Sequence, residues 1–201
     1  MPSLEFFYDI GSPWTYLAFH RIEAVAEEAG ADLVWKPILV GGVFNAVNPS
    51  VYEARANPPK ARSAYMGKDL ADWARSYGLT LTWPPSIFPV NSVKAMRGAL
   101  VALDAGCVAA YSRAAFEAYW GTDRDISRDE VLVEVANSVG LDGGTFSDEI
   151  ARDEVKARLR SNTDELIGRG GFGSPTMFVN SADLYFGNDR LGLVAAALAR
   201  G

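Results

Sequence analysis

The residues best suited to chemistry stand in short, separated stretches of a 201-residue chain. Ser12-Pro13-Trp14-Thr15 reads as the opening of a helix, with Ser12 fit for the N-cap and Pro13 for the first helical position, where its missing N–H costs nothing. A hydroxyl there lies beside the positive end of the helix macrodipole. It either caps its helix or donates a hydrogen bond to an incoming thiolate. A free thiol has a pKa of about 8.5, and helix-terminal environments lower it to about 3.5–7.5. Such a site activates a thiol that the protein does not own.

Two further stretches fit the same purpose. Pro175 follows a glycine-rich turn and Ser174, and an X–Pro bond is cheaply cis, at about 0.5–1 kcal/mol. A cis bond here aims the backbone of Ser174 outward, where an extended peptide can pair with it like an added strand. In Gly187-Asn188-Asp189-Arg190, Asn188 or Asp189 serves as an N-cap, or the segment meets an amino acid, amides for its carboxylate and Asp189 for its ammonium. The string Gly168–Gly173 satisfies G-x-G-x-x-G, but a helix precedes it and a strand follows. A dinucleotide-binding turn needs the reverse order.

Other chemistries lack their residues. The one cysteine, Cys107, forms no internal disulfide, and with the one histidine, His20, it builds no Cys/His metal site or Ser/His/Asp arrangement. Lysine plus arginine number 19 against 25 aspartate plus glutamate, a formal charge of −6 without a basic run, which argues against nucleic acid. Lys60 and Arg62, after Asn57-Pro58-Pro59, are the best loop cations for an anionic ligand. The opening MPSLEFFYDIGSPW has no basic n-region and no segment reaches membrane-spanning length, so the sequence reads as a soluble cytoplasmic protein.

The elements that must position these residues follow from periodicity and punctuation. Leu4–Tyr8 reads as a buried strand. A helix runs from Pro13 to about Ala29, with Gly30 as its stop, and a second strand covers Leu33–Val40, closed by Gly41-Gly42. From Val43 to Glu149 the pattern turns helical: Ala64–Tyr77, Ser92–Leu103, Cys107–Trp120, Arg128–Val139 and Thr145–Ile150, with Trp83–Pro89 an extended loop. A helix at Asp153–Ile167, strands at Thr176–Val179 and Leu184–Phe186, and a terminal helix complete the chain. Residues 1–42 and 151–201 therefore form a thioredoxin-like α/β domain, and 43–150 a large all-helical insertion. In that topology Ser12 and Thr15 stand where redox proteins carry C-x-x-C. Neither is cysteine, so dithiol exchange is excluded.

The blocks Phe6–Leu17 (FFYDIGSPWTYL), Phe88–Ser92 (FPVNS), Gly171–Thr176 (GFGSPT) and Phe186–Leu191 (FGNDRL) resemble the 2-hydroxychromene-2-carboxylate isomerase family, itself close to the kappa-class glutathione transferases. The resemblance spans nearly the whole chain. It implies a cytoplasmic homodimer that uses glutathione to interconvert 2-hydroxychromene-2-carboxylate and trans-o-hydroxybenzylidenepyruvate, or a related aromatic catabolite, by reversible thiolate addition. It assigns Ser12 as the catalytic serine that holds the sulfur. Ser174 and Pro175 pair with the cysteinyl part, and Phe186, Gly187, Asn188 and Asp189 grip the γ-glutamyl end. Asn45, Asn57 and Phe88 are assigned to an aromatic carboxylate substrate, although many members carry lysine near the position of Asn45. A kappa-like transferase and a non-catalytic glutathione-binding module remain open alternatives.

Overall fold

A computed structural model describes residues 1–200. Its centre is a four-stranded mixed sheet in the order β2-β1-β3-β4, formed by β1 (Ser3–Tyr8), β2 (Asp32–Pro37), β3 (Thr176–Val179) and β4 (Asp183–Phe186). β1 pairs parallel with β2 and antiparallel with β3, and β4 returns antiparallel from β3. Both faces of β1 are covered, which is why its sequence reads as an apolar run. Leu4, Phe6 and Tyr8 enter the main core with Met177 and Val179. Phe7, on the opposite face, packs with Phe178, Ile38, Val43 and Leu166. Glu5 shares that second face, and Arg169 reaches over Phe178 to hold it at 2.6 Å.

Helix α1 (Pro13–Glu28) crosses between β1 and β2, and Gly30, at φ +59°, reverses the chain after it. Helices α2 (Val40–Val47), α3 (Ser50–Ala56), α4 (Lys60–Ser76), α5 (Val93–Asp104), α6 (Val108–Phe116), α7 (Asp129–Ser138) and α8 (Gly143–Ala151) lie in sequence between β2 and α9 (Asp153–Gly168). After β4, a 3-10 turn at Asn188–Arg190 leads into α10 (Leu191–Leu198). This is a thioredoxin-like α/β fold with a helical insertion. The insertion packs onto the rest: α5 and α6 share one apolar cluster with β1, α1 and α10. Among the described residues no helix is long and apolar enough to cross a membrane.

Several local expectations are corrected. Gly41-Gly42 does not close the second strand, which stops at Pro37; both glycines lie inside α2. The acceptors for that helix's leading amides come from distant segments: Leu39 N–H donates to Thr163 Oγ1 at 3.0 Å and Val40 N–H to Asp9 Oδ2 at 2.8 Å. Lys60 and Arg62 are not loop cations but open α4 directly after Pro59. The single helix expected over Cys107–Trp120 ends at Phe116 and continues as a π-turn, Glu117–Gly121, with Tyr119 and Trp120 buried in it.

Candidate functional site

The site is assembled at the turn joining β1 to α1. Ser12 is the N-cap of α1 in extended conformation, and its Oγ accepts the Thr15 N–H at 3.3 Å. The same hydroxyl donates to the Ser174 carbonyl at 3.0 Å, across the cis Ser174–Pro175 peptide. Thr15 Oγ1 lies 2.7 Å from Ser174 Oγ, which also accepts the Asp9 N–H at 3.0 Å. Both positions of the dithiol spacing therefore carry hydroxyls turned on one residue of the proline turn. An anion placed at the helix terminus competes with the Ser174 carbonyl for the Ser12 hydrogen. It competes well, because charge-assisted hydrogen bonds are roughly twice as strong as neutral ones.

Asp9 fixes the turn from beneath. Its fully buried carboxylate accepts the Gly11 and Val40 N–H groups, both at 2.8 Å. Burial raises its pKa, opposed by those two amides and by the Ser92 hydroxyl. One side chain thereby ties the serine turn to the first helix of the insertion.

The remaining backbone segments adjoin. Gly187 N–H donates to the Pro175 carbonyl at 3.1 Å, and Gly187 takes φ +103°, a conformation open to glycine. The Phe186 ring lies over Gly173, where an added Cβ would stand 2.7 Å from it, and 4.5 Å from the Phe172 ring. Phe186, Gly187, Asn188, Asp189 and Arg190 line an open pocket of about 560 Å³ with Trp14, Tyr65, Asp69 and Trp73. Asn188 is 2% exposed, and neither of its amide atoms has a hydrogen-bond partner. The Tyr77 phenol stands beside that amide, outside normal bond geometry, and burial raises its pKa. A buried, unpartnered amide is costly, and here it stands among the residues of a pocket suited to a polar ligand. Asp189 is paired with Arg190 at 2.5 Å in an exposed contact, which leaves its carboxylate readily available to an ammonium.

The substrate-side residues are placed less closely. Phe88 joins an aromatic wall, 5.0 Å from Trp83 and 6.3 Å from Trp120 between ring centroids. The Trp120 indole N–H donates to the Ile10 carbonyl at 2.7 Å, which binds the wall to the serine turn. Asn45 on α2 and Asn57 at the end of α3 are both exposed. His20 takes no part: its Nδ1 faces Arg113 at 3.0 Å, and burial, then the arginine charge, lowers its pKa to about 4. Cys107 caps α6 within the insertion, half-buried against the core.

Sequence reasoning passed over Asp9, Tyr65, Asp69, Trp73 and Trp120. Tyr65, Asp69 and Trp73 recur every fourth residue and so share one face of α4, a spacing that was available to find them. The roles of Asp9 and Trp120 depend on partners from other segments.

A family model for the DSBA-like thioredoxin domain matches residues 3–199. A 2-hydroxychromene-2-carboxylate isomerase of Pseudomonas putida is 28% identical over 200 residues, covering 98% of this chain and 94% of that protein. Glutathione S-transferase kappa 1 of Caenorhabditis elegans is 26% identical, covering 98% and 91%. A solved 2-hydroxychromene-2-carboxylate isomerase superposes with a TM-score of 0.84 at 27% identity, over 98% of this chain and 94% of that one.

Proposed function

The chain belongs to the DSBA-like thioredoxin domain family, and within it we propose a glutathione-dependent isomerase that interconverts 2-hydroxychromene-2-carboxylate and trans-o-hydroxybenzylidenepyruvate, or a related aromatic catabolite, as a cytoplasmic homodimer. The observation that carries this reading is the pair of hydroxyls, Ser12 and Thr15, converging on Ser174 where a redox enzyme needs thiols. With no cysteine in the turn, the sulfur must arrive with a ligand. Relatives named as isomerases of this substrate and as glutathione transferases support the choice of ligand.

The residues present fit glutathione. Ser12 holds the sulfur, the Ser174–Pro175 backbone pairs with the cysteinyl part, and Phe186, Gly187, Asn188 and Asp189 take the γ-glutamyl end. The unpartnered Asn188 amide supports that last assignment. Glutathione, when bound, would supply a thiolate that adds to the conjugated bond once the hemiketal ring C–O bond has opened to phenol and ketone, leaving a single bond free to rotate, and that is expelled as the double bond re-forms.

The protein does the rest. The Ser12 hydroxyl, turned from the Ser174 carbonyl, and the α1 terminus hold negative charge at the sulfur position. Asp9 keeps the turn fixed through Gly11 and Val40. Phe88, with Trp83 and Trp120, offers an apolar wall to an aromatic ring, and Asn45 and Asn57 are assigned to the same substrate.

The test is incubation of the protein with glutathione and 2-hydroxychromene-2-carboxylate, followed by ultraviolet spectra and thiol counting. Interconversion of the two spectra without net loss of glutathione supports the isomerase. Accumulation of a conjugate assigns a transferase instead. No glutathione-dependent change refutes both and leaves a binding module.

A further inference from the structure

We propose that Arg55 is the cation that receives the carboxylate of an aromatic acid substrate. The proposal rests on the isomerase reading and adds to it the residue that selects an acid over a neutral analogue. Arg55 occupies the last turn of α3. Its guanidinium carbon stands 5.3 Å from the centroid of the Phe44 ring and 5.6 Å from that of Phe88. Cation–π attraction at such distances favours a guanidinium beside ring faces, and its N–H groups can still donate to a carboxylate.

Two other ring-stacked arginines are neutralised: Arg169, over Phe178, by Glu5 and Glu165, and Arg113, over Phe19, by Glu23. Arg21, over Tyr77, makes no ion pair among the described residues, but its ring is not part of the wall formed by Phe88, Trp83 and Trp120. Among the described residues Arg55 takes part in no ion pair. Asn45, next to Phe44, is neutral. A chain with a formal charge of −6 repels anions at a distance, so an anionic substrate needs a local, unneutralised cation to orient it.

The location joins that cation to the site. Phe88, one of its two platforms, continues into Trp83 and Trp120, and Trp120 is bonded to Ile10, two residues before Ser12. An aromatic acid laid along this wall presents its ring to the tryptophans and its carboxylate to the guanidinium. The planar fork of arginine suits a carboxylate bidentately, which a lysine does not reproduce.

The experiment uses Arg55→Gln and Arg55→Lys in the full chain. It measures calorimetric binding of benzylidenepyruvate and of its methyl ester without glutathione, alongside steady-state isomerisation. Arg55→Gln is expected to weaken binding of the acid about tenfold, the lower range for a charge-assisted hydrogen bond at an exposed site. The ester should bind as before, and Arg55→Lys should recover part of the loss. In turnover, KM for the chromene carboxylate rises while KM for glutathione stays put.

Equal weakening of acid and ester, unchanged binding of the acid, or failure of the native chain to bind the acid overturns the proposal. The underlying reading fails separately. If the native chain binds the acid through Arg55 but shows no isomerisation, the carboxylate site stands and the isomerase assignment falls. If it isomerises and Arg55→Gln changes neither KM nor binding, the reverse holds.

Discussion

Replacing Ser12 by alanine removes a hydroxyl that the structure uses twice, and the two losses are separable. The Oγ accepts from the Thr15 N–H at 3.3 Å and donates to the Ser174 carbonyl at 3.0 Å. Loss of the cap costs about 1 kcal/mol, and leaving a buried carbonyl without its donor costs about 1 more. Urea unfolding at neutral pH should therefore show Ser12→Ala about 2 kcal/mol less stable than the native chain. The chemical effect comes on top. One charge-assisted hydrogen bond contributes about 1.5–3 kcal/mol to a bound thiolate, so the pKa of bound glutathione should rise by roughly 1–2 units. Turnover should fall about 100-fold or more, as when one preorganised donor is removed from an anion site. Ser12→Thr keeps both the cap and the hydroxyl and should recover most of each loss. Thiolate absorbance against pH, read beside the unfolding curves, checks the reasoning. A stability loss near 2 kcal/mol with unchanged thiol pKa and turnover would refute it, leaving Ser12 as a helix cap only.

His20 should make stability fall on acidification. Burial and then Arg113 lower its folded pKa to about 4, so the unfolded chain takes up a proton near pH 6.5 while the folded chain does not. That contribution is complete above pH 6.5 and disappears as pH falls toward the folded value. Because the ring is partly solvated, screening limits it to about 1–2 kcal/mol. Unfolding curves of His20→Gln between pH 7 and pH 4.5 should be flatter than those of the native chain, and parallel slopes would contradict the assignment. Gly98→Ala places a Cβ inside the contact distance of the Tyr111 hydroxyl and 2.6 Å from Phe146 Cζ, both within the core. Overpacking there should cost about 1–3 kcal/mol in urea unfolding, with glutathione affinity unchanged because the residue lies outside the site.

The parts of the fold legible in the sequence are those whose signals are local. The apolar run of β1, the Ser12-Pro13 start and Gly30 stop of α1, and the short link between β3 and β4 each sit within a few residues of the element they define. The insertion is less legible because its elements are completed from elsewhere. Gly41-Gly42 looks like a strand end until Asp9 and Thr163 supply acceptors for the start of α2. Gly42 also lets α2 approach α9, since an added Cβ would stand 3.2 Å from Thr163 Cγ2. The π-turn after Phe116 has no sequence mark, yet it seats Trp120 against Ile10 and Tyr119 against the Ile87 carbonyl. Of the candidate site, Ser12, Ser174 and the Phe186–Asp189 segment could be named from short motifs. Asp9, the Tyr65–Trp73 face of α4 and the stacking of Arg55 depend on which segments meet.

A crystal structure of the native chain with glutathione tests the central claim most directly. The account predicts the sulfur within hydrogen-bond distance of Ser12 Oγ, the hydroxyl turned from the Ser174 carbonyl toward it, and the γ-glutamyl end against Asn188 and Asp189. Glutathione bound with its sulfur remote from α1, and the Ser12 hydroxyl still donating to Ser174, would contradict it.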